Sequence, residues 1–230
     1  SSCCNGLCIN QPDCSNIIVQ KTNVSDWVYN AATNTVLAPS DLDVDLGSGN
    51  VYVASESQNV IYRCNSSLSN CAVFFGVFGT GASGYSDFDL LLNPNSLAVF
   101  KGQDVLIVVD QAGSSRVLLI DLKTKEVLND FHFAPSPSLD KITDITTDYQ
   151  GTIFFASDNG RVYKYSANLA NQLATLNVGQ PLAGVATDMS NNVYVTTSDH
   201  KVIKYNNSLS GGVLATYNSS GIASPDLIDD

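Results

Sequence analysis

Three aspartates occupy one repeating position and are the residues in this chain best suited to chemistry. Asp41, Asp144 and Asp226 each precede, by four residues, an aspartate that opens a polar turn. If the repeats surround an axis, the three carboxylates approach one another near one end of it. Crowded like charges are costly unless a proton or a cation neutralises them. Oxygen ligands suit Ca²⁺, so the three aspartates are a candidate calcium site; the hypothesis that we favour is that these carboxylates accept hydrogen bonds from turn amides.

The same aspartates define the alternative function, a metal-dependent lyase or hydrolase. Two carboxylates at suitable spacing perform hydrolysis. Against catalysis, the sequence contains no nucleophile elbow, P-loop or H-E-x-x-H motif, which are the motifs that position a nucleophile, phosphate or zinc ion. We therefore favour a non-enzymatic role.

The elements that must position the aspartates repeat along the chain. Each repeat contains a short apolar strand, a Gly/Asn turn, an alternating strand, a second turn and a third strand, which is the pattern of paired antiparallel strands. Four segments follow this pattern: 43–64, 98–121, 144–165 and 184–205. Fourth strands are predicted at 72–78, 126–133, 172–178 and 212–217.

The spacing of the repeats predicts the fold class. The turns that follow the first strands are marked by Asp45, Phe100, Asp148, Asp188 and Asp230, at separations of 55, 48, 40 and 42 residues. Four antiparallel strands every ~40 residues form the blade of an all-β propeller. An immunoglobulin-like sandwich also has many short strands, but it does not explain this period.

The two ends of the chain predict one shared blade. Residues 223–230 resemble a first strand without successors, and residues 16–20, 26–30 and 33–38 supply the other three. We therefore expect about five blades, with the seam blade closed by N-terminal and C-terminal strands; the long first separation leaves six blades as the alternative. Residues 16–230 would be a single propeller domain, preceded by a Cys-rich segment, 1–15.

The repeats resemble NHL-type propeller repeats. The matching stretches are D45-L-G-S-G-N-V-Y-V-A-S, D188-M-S-N-N-V-Y-V-T-T and N93-P94-N95-S96-L97-A98-V99, with Arg116, Arg161 and Lys201 opening third strands. The resemblance implies a propeller fold and leaves function open, because related propellers include binding proteins, lyases and lactonases. The chain departs from the family pattern at Asp41, Ser96, Asp144 and Asp226, where the family usually has Gly; only Gly184 conforms.

Charge and hydropathy exclude several partners. The net charge is −11, with only 11 Lys and Arg residues, whereas a nucleic-acid surface needs clustered basic residues. The same deficit disfavours anionic membranes. No apolar run approaches the ~20 residues that span a bilayer, so membrane insertion is not expected.

Cysteines and glycosylation sequons predict a secreted or cell-surface protein. The cysteines are Cys3, Cys4, Cys8, Cys14, Cys64 and Cys71, and N-x-[ST] sequons start at Asn23, Asn65, Asn206 and Asn218. An even cysteine count favours an oxidising compartment. Cys64 and Cys71 flank a hairpin that a disulfide can close. The N-terminal cysteines either pair internally or link to a second chain.

We therefore predict a secreted glycoprotein propeller that acts as a binding, structural or assembly module. Its ligand would be a protein or a carbohydrate. Self-association into filaments is a further expectation, because residues 223–230 could insert into a neighbouring copy by strand addition.

Overall fold

The computed structural model describes residues 39–68, 70–77, 90–100, 103–111, 116–132 and 141–218, together with the backbone of residues 2–4 and 7–9. In the part of the chain so described, no helix is long and apolar enough to cross a membrane. The described residues form β-strands and a short 3-10 turn at Glu56–Gln58.

Near the N-terminus, β1 (Ser2–Cys4) and β2 (Leu7–Ile9) form an antiparallel ribbon. The pairing places Cys3 opposite Cys8 in the ribbon. Cys14 lies outside the described residues, so internal pairing and linkage to a second chain both remain predictions.

The first two large sheets are four-stranded meanders, in which each strand pairs with the next along the chain. Blade 1 consists of β3 (Pro39–Val44), β4 (Val51–Ser55), β5 (Val60–Cys64) and β6 (Cys71–Gly76). Blade 2 consists of β7 (Pro94–Val99), β8 (Val105–Asp110), β9 (Arg116–Asp121) and β10 (Val127–His132). Neighbouring strands are antiparallel throughout.

The next two sheets repeat this order. Blade 3 consists of β11 (Ile142–Thr147), β12 (Ile153–Ser157), β13 (Arg161–Tyr165) and β14 (Gln172–Asn177). Blade 4 consists of β15 (Leu182–Thr187), β16 (Val193–Thr197), β17 (Lys201–Tyr205) and β18 (Val213–Asn218). The sequence predicted these four repeats, including their fourth strands, and the prediction is confirmed.

The described residues form four blades, compared with the predicted five. The strands assigned to the fifth blade, at 16–38 and 223–230, lie outside the described residues. Internal contacts divide the chain into two compact units, residues 1–139 and 140–230. Unit 1 contains blades 1 and 2, and unit 2 contains blades 3 and 4.

Each unit has an apolar core where its two blades pack together. We call the packing of blade 1 on blade 2 junction 1, and that of blade 3 on blade 4 junction 2. Tyr52 and Phe74 from blade 1 meet Leu106 and Leu118 from blade 2 in the core of junction 1. In junction 2, Phe154 and Val162 belong to one cluster with Val193, Val195 and Ile203. Burial of these side chains follows from the near-continuous apolar sequences of strands such as β4, β8, β9 and β12, which are buried on both faces.

Candidate functional site

A bulge at one position in every first strand sets the orientation of the residue that follows it. The register shifts directly before Asp41, Ser96, Asp144 and Gly184. A bulge inserts an extra residue and re-aims the neighbouring side chains. These four residues therefore form a structurally equivalent set, as the sequence alignment predicted.

At junction 1 this position joins the two blades directly. Asp41 Oδ2 accepts hydrogen bonds from the Ser96 hydroxyl and the Leu97 amide, both at 2.8 Å. Two residues on, Asp43 Oδ2 accepts from the Val99 amide at 2.8 Å. Because β7 lies at the edge of its sheet, some of its amides have no strand partner. The aspartates of blade 1 supply the acceptors that these amides need.

Junction 2 contains one hydrogen bond of the same kind, from a first-strand amide to an aspartate of the preceding blade. Asp144 Oδ2 accepts from the Val185 amide at 2.6 Å, and the Thr187 hydroxyl donates to the Thr147 carbonyl at 2.8 Å. Gly184 stands where Ser96 stands in blade 2. We call the hydrogen bonds from inner-strand aspartates to the next blade carboxylate latches.

The latches explain two of the aspartates that depart from the NHL pattern, Asp41 and Asp144. Burial raises the pKa of Asp41 above its ordinary value, and the hydrogen bonds from Leu97 and Ser96 oppose that rise. The remaining oxygens of Asp41 and Asp144 accept from the amides of Leu42 and Ile145, each at 2.7 Å. Both side chains thus accept amide hydrogen bonds, the role that the sequence favoured, although the amides belong to strands.

The predicted calcium site requires Asp226, which lies outside the described residues, and it stays a prediction. Within the described ranges, no three His, Cys, Asp or Glu side chains come together in a way that could hold a metal ion.

The predicted disulfide between Cys64 and Cys71 is present. The two residues lie opposite each other on β5 and β6, with a Cα–Cα distance of 4.0 Å. Three of the sequon asparagines are described: Asn65 and Asn206 lie in turns between third and fourth strands, and Asn218 ends β18. Asn23 lies outside the described residues. Their glycosylation stays a prediction.

A cleft of about 560 Å³ opens at junction 1, between the first turns of blades 1 and 2. This volume lies within the range of small-ligand sites. Its lining combines apolar side chains with hydrogen-bond acceptors and comprises Asp43, Val44, Asp45, Leu46, Gly47, Val99, Phe100, Gln103 and Asp104. Leu46 is 74% exposed, whereas Phe100 is buried.

The polar groups of the cleft are almost all acceptors. Asp45 accepts from the Gly47 amide at 2.9 Å and from the Ser48 hydroxyl. Asp104 forms an exposed ion pair with Lys123. The side-chain oxygen of Gln103 is buried and has no hydrogen-bond partner within the described ranges. An ionised carboxylate has about four lone-pair sites, so Asp45 retains capacity for a further donor.

A basic and aromatic cluster lies on the same junction. Phe74 packs edge-on against Tyr52, with ring centroids 5.1 Å apart. The Lys125 ammonium lies 5.3 Å and the Arg63 guanidinium 6.0 Å from the centroid of Phe74. Burial lowers the pKa of Lys125, and the nearby charge of Arg63 lowers it further. Junction 1 therefore carries acceptors in the cleft and cations in this second cluster.

Blade 2 also contains a buried ion cluster that the sequence analysis missed. Arg116 is 1% exposed, and its Nε donates to Asp130 Oδ1 at 3.1 Å. Its Nη1 donates to the Leu90 carbonyl at 3.1 Å and lies 3.7 Å from Asp110 Oδ2. Burial raises the pKa of Asp110 to about 7 and outweighs the opposing effects of the Leu92 amide and Arg116.

One sequence signal could have revealed this cluster. Asp110 and Arg116 face each other across β8 and β9, whose other residues are almost all apolar. Opposite charges at facing positions in strands buried on both sides need each other as partners.

No protein-family model matches this chain, and no curated protein matches it in sequence. Its fold, however, matches 1297 solved chains. One belongs to a crystal structure of a nidogen/laminin complex, with a TM-score of 0.63 and 14% identity, covering 79% of this chain and 64% of that one. Another belongs to hydrazine synthase from Kuenenia stuttgartiensis, with a TM-score of 0.60 and 11% identity, covering 83% of this chain and 52% of that one.

These similarities define the class of fold. Both neighbours are β-propellers, and the chain has an all-β propeller fold with four-stranded blades. It spans less than two thirds of either neighbour. Since propellers with such different activities share the fold, function must be argued from the site.

Proposed function

We propose that this protein is a non-enzymatic binding module that recognises a basic segment of a protein partner at the cleft of junction 1. The observation that carries the proposal is the composition of the cleft, whose lining combines the acceptors of Asp45, Asp104 and Gln103 with the apolar Val99 and Phe100. A lysine or arginine side chain has the complementary form, an aliphatic stem with a donor-only cationic head. The protein–protein complex in which one structural neighbour was solved supports a protein ligand.

The wider setting of the proposal is an extracellular one. The Cys64–Cys71 disulfide and the sequons support a secreted glycoprotein. Asn65 lies in the β5–β6 turn, at the same end of blade 1 as the cleft turn, where a glycan would limit access from one side. We also assign the repeats to the NHL type and propose that residues 16–38 and 223–230 complete the ring as a fifth, seam blade.

The test is a titration with small cationic probes followed by NMR. We expect N-acetyl-arginine amide to shift signals of Leu46, Phe100 and Gln103, and N-acetyl-glutamine amide to leave them unchanged. The double variant Asp45→Asn/Asp104→Asn should weaken binding about tenfold, because a hydrogen bond to a charged group contributes about 1.5–3 kcal/mol. Raising the salt concentration should weaken it further.

The matched control is Asp199→Asn, which removes an ion-paired aspartate from unit 2. It should change the affinity less than twofold. Equal binding by the wild type and the Asp45→Asn/Asp104→Asn variant would refute the site. Strong, salt-independent binding on a glycan array, without any effect of the cationic probes, would instead favour a carbohydrate ligand.

A further inference from the structure

The turns between third and fourth strands share one backbone conformation, but blade 2 differs in the residue that adopts it. In each blade the last residue of the third strand pairs with the first residue of the second strand. The fourth residue after it has a left-handed backbone, with φ between 55° and 62°. This residue is a leucine in three blades and a lysine in blade 2: Leu68, Leu169, Leu209 and Lys125. The turn itself therefore does not require a lysine.

The leucine at this position completes the apolar core of junction 2. Leu209 is buried and belongs to the cluster that contains Phe154. At junction 1, Lys125 instead lies over Phe74, with its ammonium 5.3 Å from the ring centroid. Lys125 thus brings a positive charge to a place where the equivalent side chain at junction 2 is apolar.

A second difference concerns the basic residue on the third strand of the preceding blade. At junction 2 this residue is Lys164, and its ammonium donates to the backbone carbonyl of Asn207 at 2.8 Å and to its side-chain oxygen at 2.5 Å. Asn207 lies in the β17–β18 turn, two residues after the third strand of blade 4. The turn of blade 4 therefore supplies acceptors to the cation of blade 3.

The equivalent turn at junction 1 supplies lysines. Arg63 has the register position on β5 that Lys164 has on β13. The position of Asn207 is occupied in blade 2 by Lys123, which forms an ion pair with Asp104. Blade 2 thus places two lysines in the turn where blade 4 has an acceptor and a leucine.

Arg63 and Lys125, which we call the basic pair, are accessible and close to each other. Arg63 is exposed and Lys125 is half-buried. The Arg63 guanidinium lies 6.0 Å from the centroid of Phe74, the ring that Lys125 also contacts. Like charges held close together repel each other, and an anion bound between them removes this cost. A carboxylate suits the pair, because it has two acceptor oxygens for two cationic donors.

The basic pair adjoins the acceptors of the cleft through Tyr52. Burial raises the pKa of Tyr52; the charge of Arg63 and its hydrogen bond oppose the rise, and the charges of Asp45 and Asp104 add to it. The Tyr52 hydroxyl is therefore within electrostatic range, about 10 Å, of both charged groups. An extended chain advances roughly 3.3 Å per residue, so a few residues of one partner segment reach from the cleft to the basic pair.

We propose that the basic pair binds an acidic side chain of the protein partner, so that the recognised segment carries an aspartate or glutamate near its basic residue. The inference rests on the proposed function for the identity of the partner, but it concerns different residues from those of the cleft. The chain has 22 Asp and Glu residues against 11 Lys and Arg, so an acidic partner side chain needs a defined basic site to be attracted.

The test is an NMR titration of the full chain with N-acetyl-aspartate amide. We expect this probe to shift signals of Arg63, Phe74 and Lys125, and N-acetyl-asparagine amide to leave them unchanged. Lys125→Leu should weaken binding of the aspartate probe about tenfold, because a charged hydrogen-bond donor is lost. The variant should keep its fold, because leucine occupies this turn position in the other three blades. Arg63→Gln should weaken binding by a similar factor.

The matched control is Lys204→Leu. It removes a lysine whose ammonium also lies over an aromatic ring, 5.0 Å from the centroid of Tyr194. This change should alter the affinity for the aspartate probe less than twofold.

Two results would overturn the inference: equal binding of the aspartate probe by the wild type and Lys125→Leu, or no shift at Arg63 and Phe74 in the wild type. If a sulfated disaccharide shifts these signals and the aspartate probe does not, the basic pair binds a sulfated glycan, and the inference is wrong. N-acetyl-arginine amide should bind Lys125→Leu at least as tightly as the wild type. Loss of the arginine probe's binding alone would count against the proposed function and not against the basic pair.

Discussion

The two junctions are built on the same plan but differ in what they leave accessible. At junction 2, Asp148 is fully buried and accepts only from neutral donors: the amides of Gln150 and Thr152, and the Asn207 side chain at 2.8 Å. Its turn is joined to the next blade, because the Tyr149 amide donates to Asn191 Oδ1 at 3.4 Å. The equivalent aspartate at junction 1, Asp45, instead lines a cleft.

The comparison shows that the next blade determines the role of the repeated turn aspartate. Where a side chain of that blade donates a hydrogen bond to the aspartate, the aspartate is buried; where none does, it lines an accessible cleft. The β17–β18 turn places Asn207 over Asp148, and Asn207 also accepts from the Lys164 ammonium. In blade 2 the corresponding turn contains Lys123, which pairs with Asp104 and leaves Asp45 accessible. The units also differ in the groups that surround a buried aspartate. In unit 1, Asp110 lies beside the buried cation Arg116. In unit 2, the buried Asp148 accepts hydrogen bonds from neutral donors.

The difference in buried charge predicts the largest effect, a pH-dependent stability that arises in unit 1. Burial raises the pKa of Asp110 from 3.8 in the unfolded chain to about 7 in the folded protein. The folded state then holds this proton more tightly, so the stabilisation is complete below pH 3.8 and is lost as the pH rises to 7. The total loss is about 4 kcal/mol, at ~1.4 kcal/mol per pH unit over about three pH units.

Asp110→Asn isolates this contribution. The amide keeps an acceptor for Leu92 but does not ionise, so urea unfolding between pH 4 and 7 should show a flatter pH profile than the wild type. A wild-type slope that persists in Asp110→Asn would show that Asp110 is ionised throughout this range, held by Arg116.

The next largest predicted effect is the loss of stability when a carboxylate latch is removed, and this loss should differ between the two junctions. Asp41→Ala removes two hydrogen bonds between blades, whereas Asp144→Ala removes one. At about 1 kcal/mol or more for each bond to a charged, partly buried group, we expect losses of about 2–3 and 1–2 kcal/mol in urea unfolding. Equal losses, or a greater loss from Asp144→Ala, would contradict the idea that junction 1 depends more on its latches.

The blades were predictable from sequence because their signals are local. Alternating residues and Gly/Asn turns fixed the four repeats within a few residues, and Cys64 and Cys71 flank a single hairpin. Arg116, Arg161 and Lys201 open third strands as the NHL resemblance implied.

The junctions were not predictable, because each latch joins residues 41 to 56 positions apart in sequence. The alignment placed Asp41 and Asp144 at one position but could not identify their partners as amides in the next blade. Likewise, the cleft depends on the relative placement of two turns, and nothing in the residues around Asp45 distinguishes it from Asp148. The hydrogen-bonding need of edge-strand amides was the signal that could have suggested the latches.

The smallest predicted effect concerns the side chain that closes junction 2. Asn207→Ala removes the hydrogen bond to Asp148 Oδ2 and one acceptor of Lys164, while the sequon at Asn206 is kept. We expect a loss of about 1 kcal/mol, and a coupling of similar size in a double-mutant cycle with Asp148→Ala. If Asn207 alone keeps this junction closed, Asn207→Ala should also allow N-acetyl-arginine amide to shift signals of Tyr149 and Asn191. Negligible coupling would mean that the packing of the two turns, rather than the amide of Asn207, makes Asp148 structural.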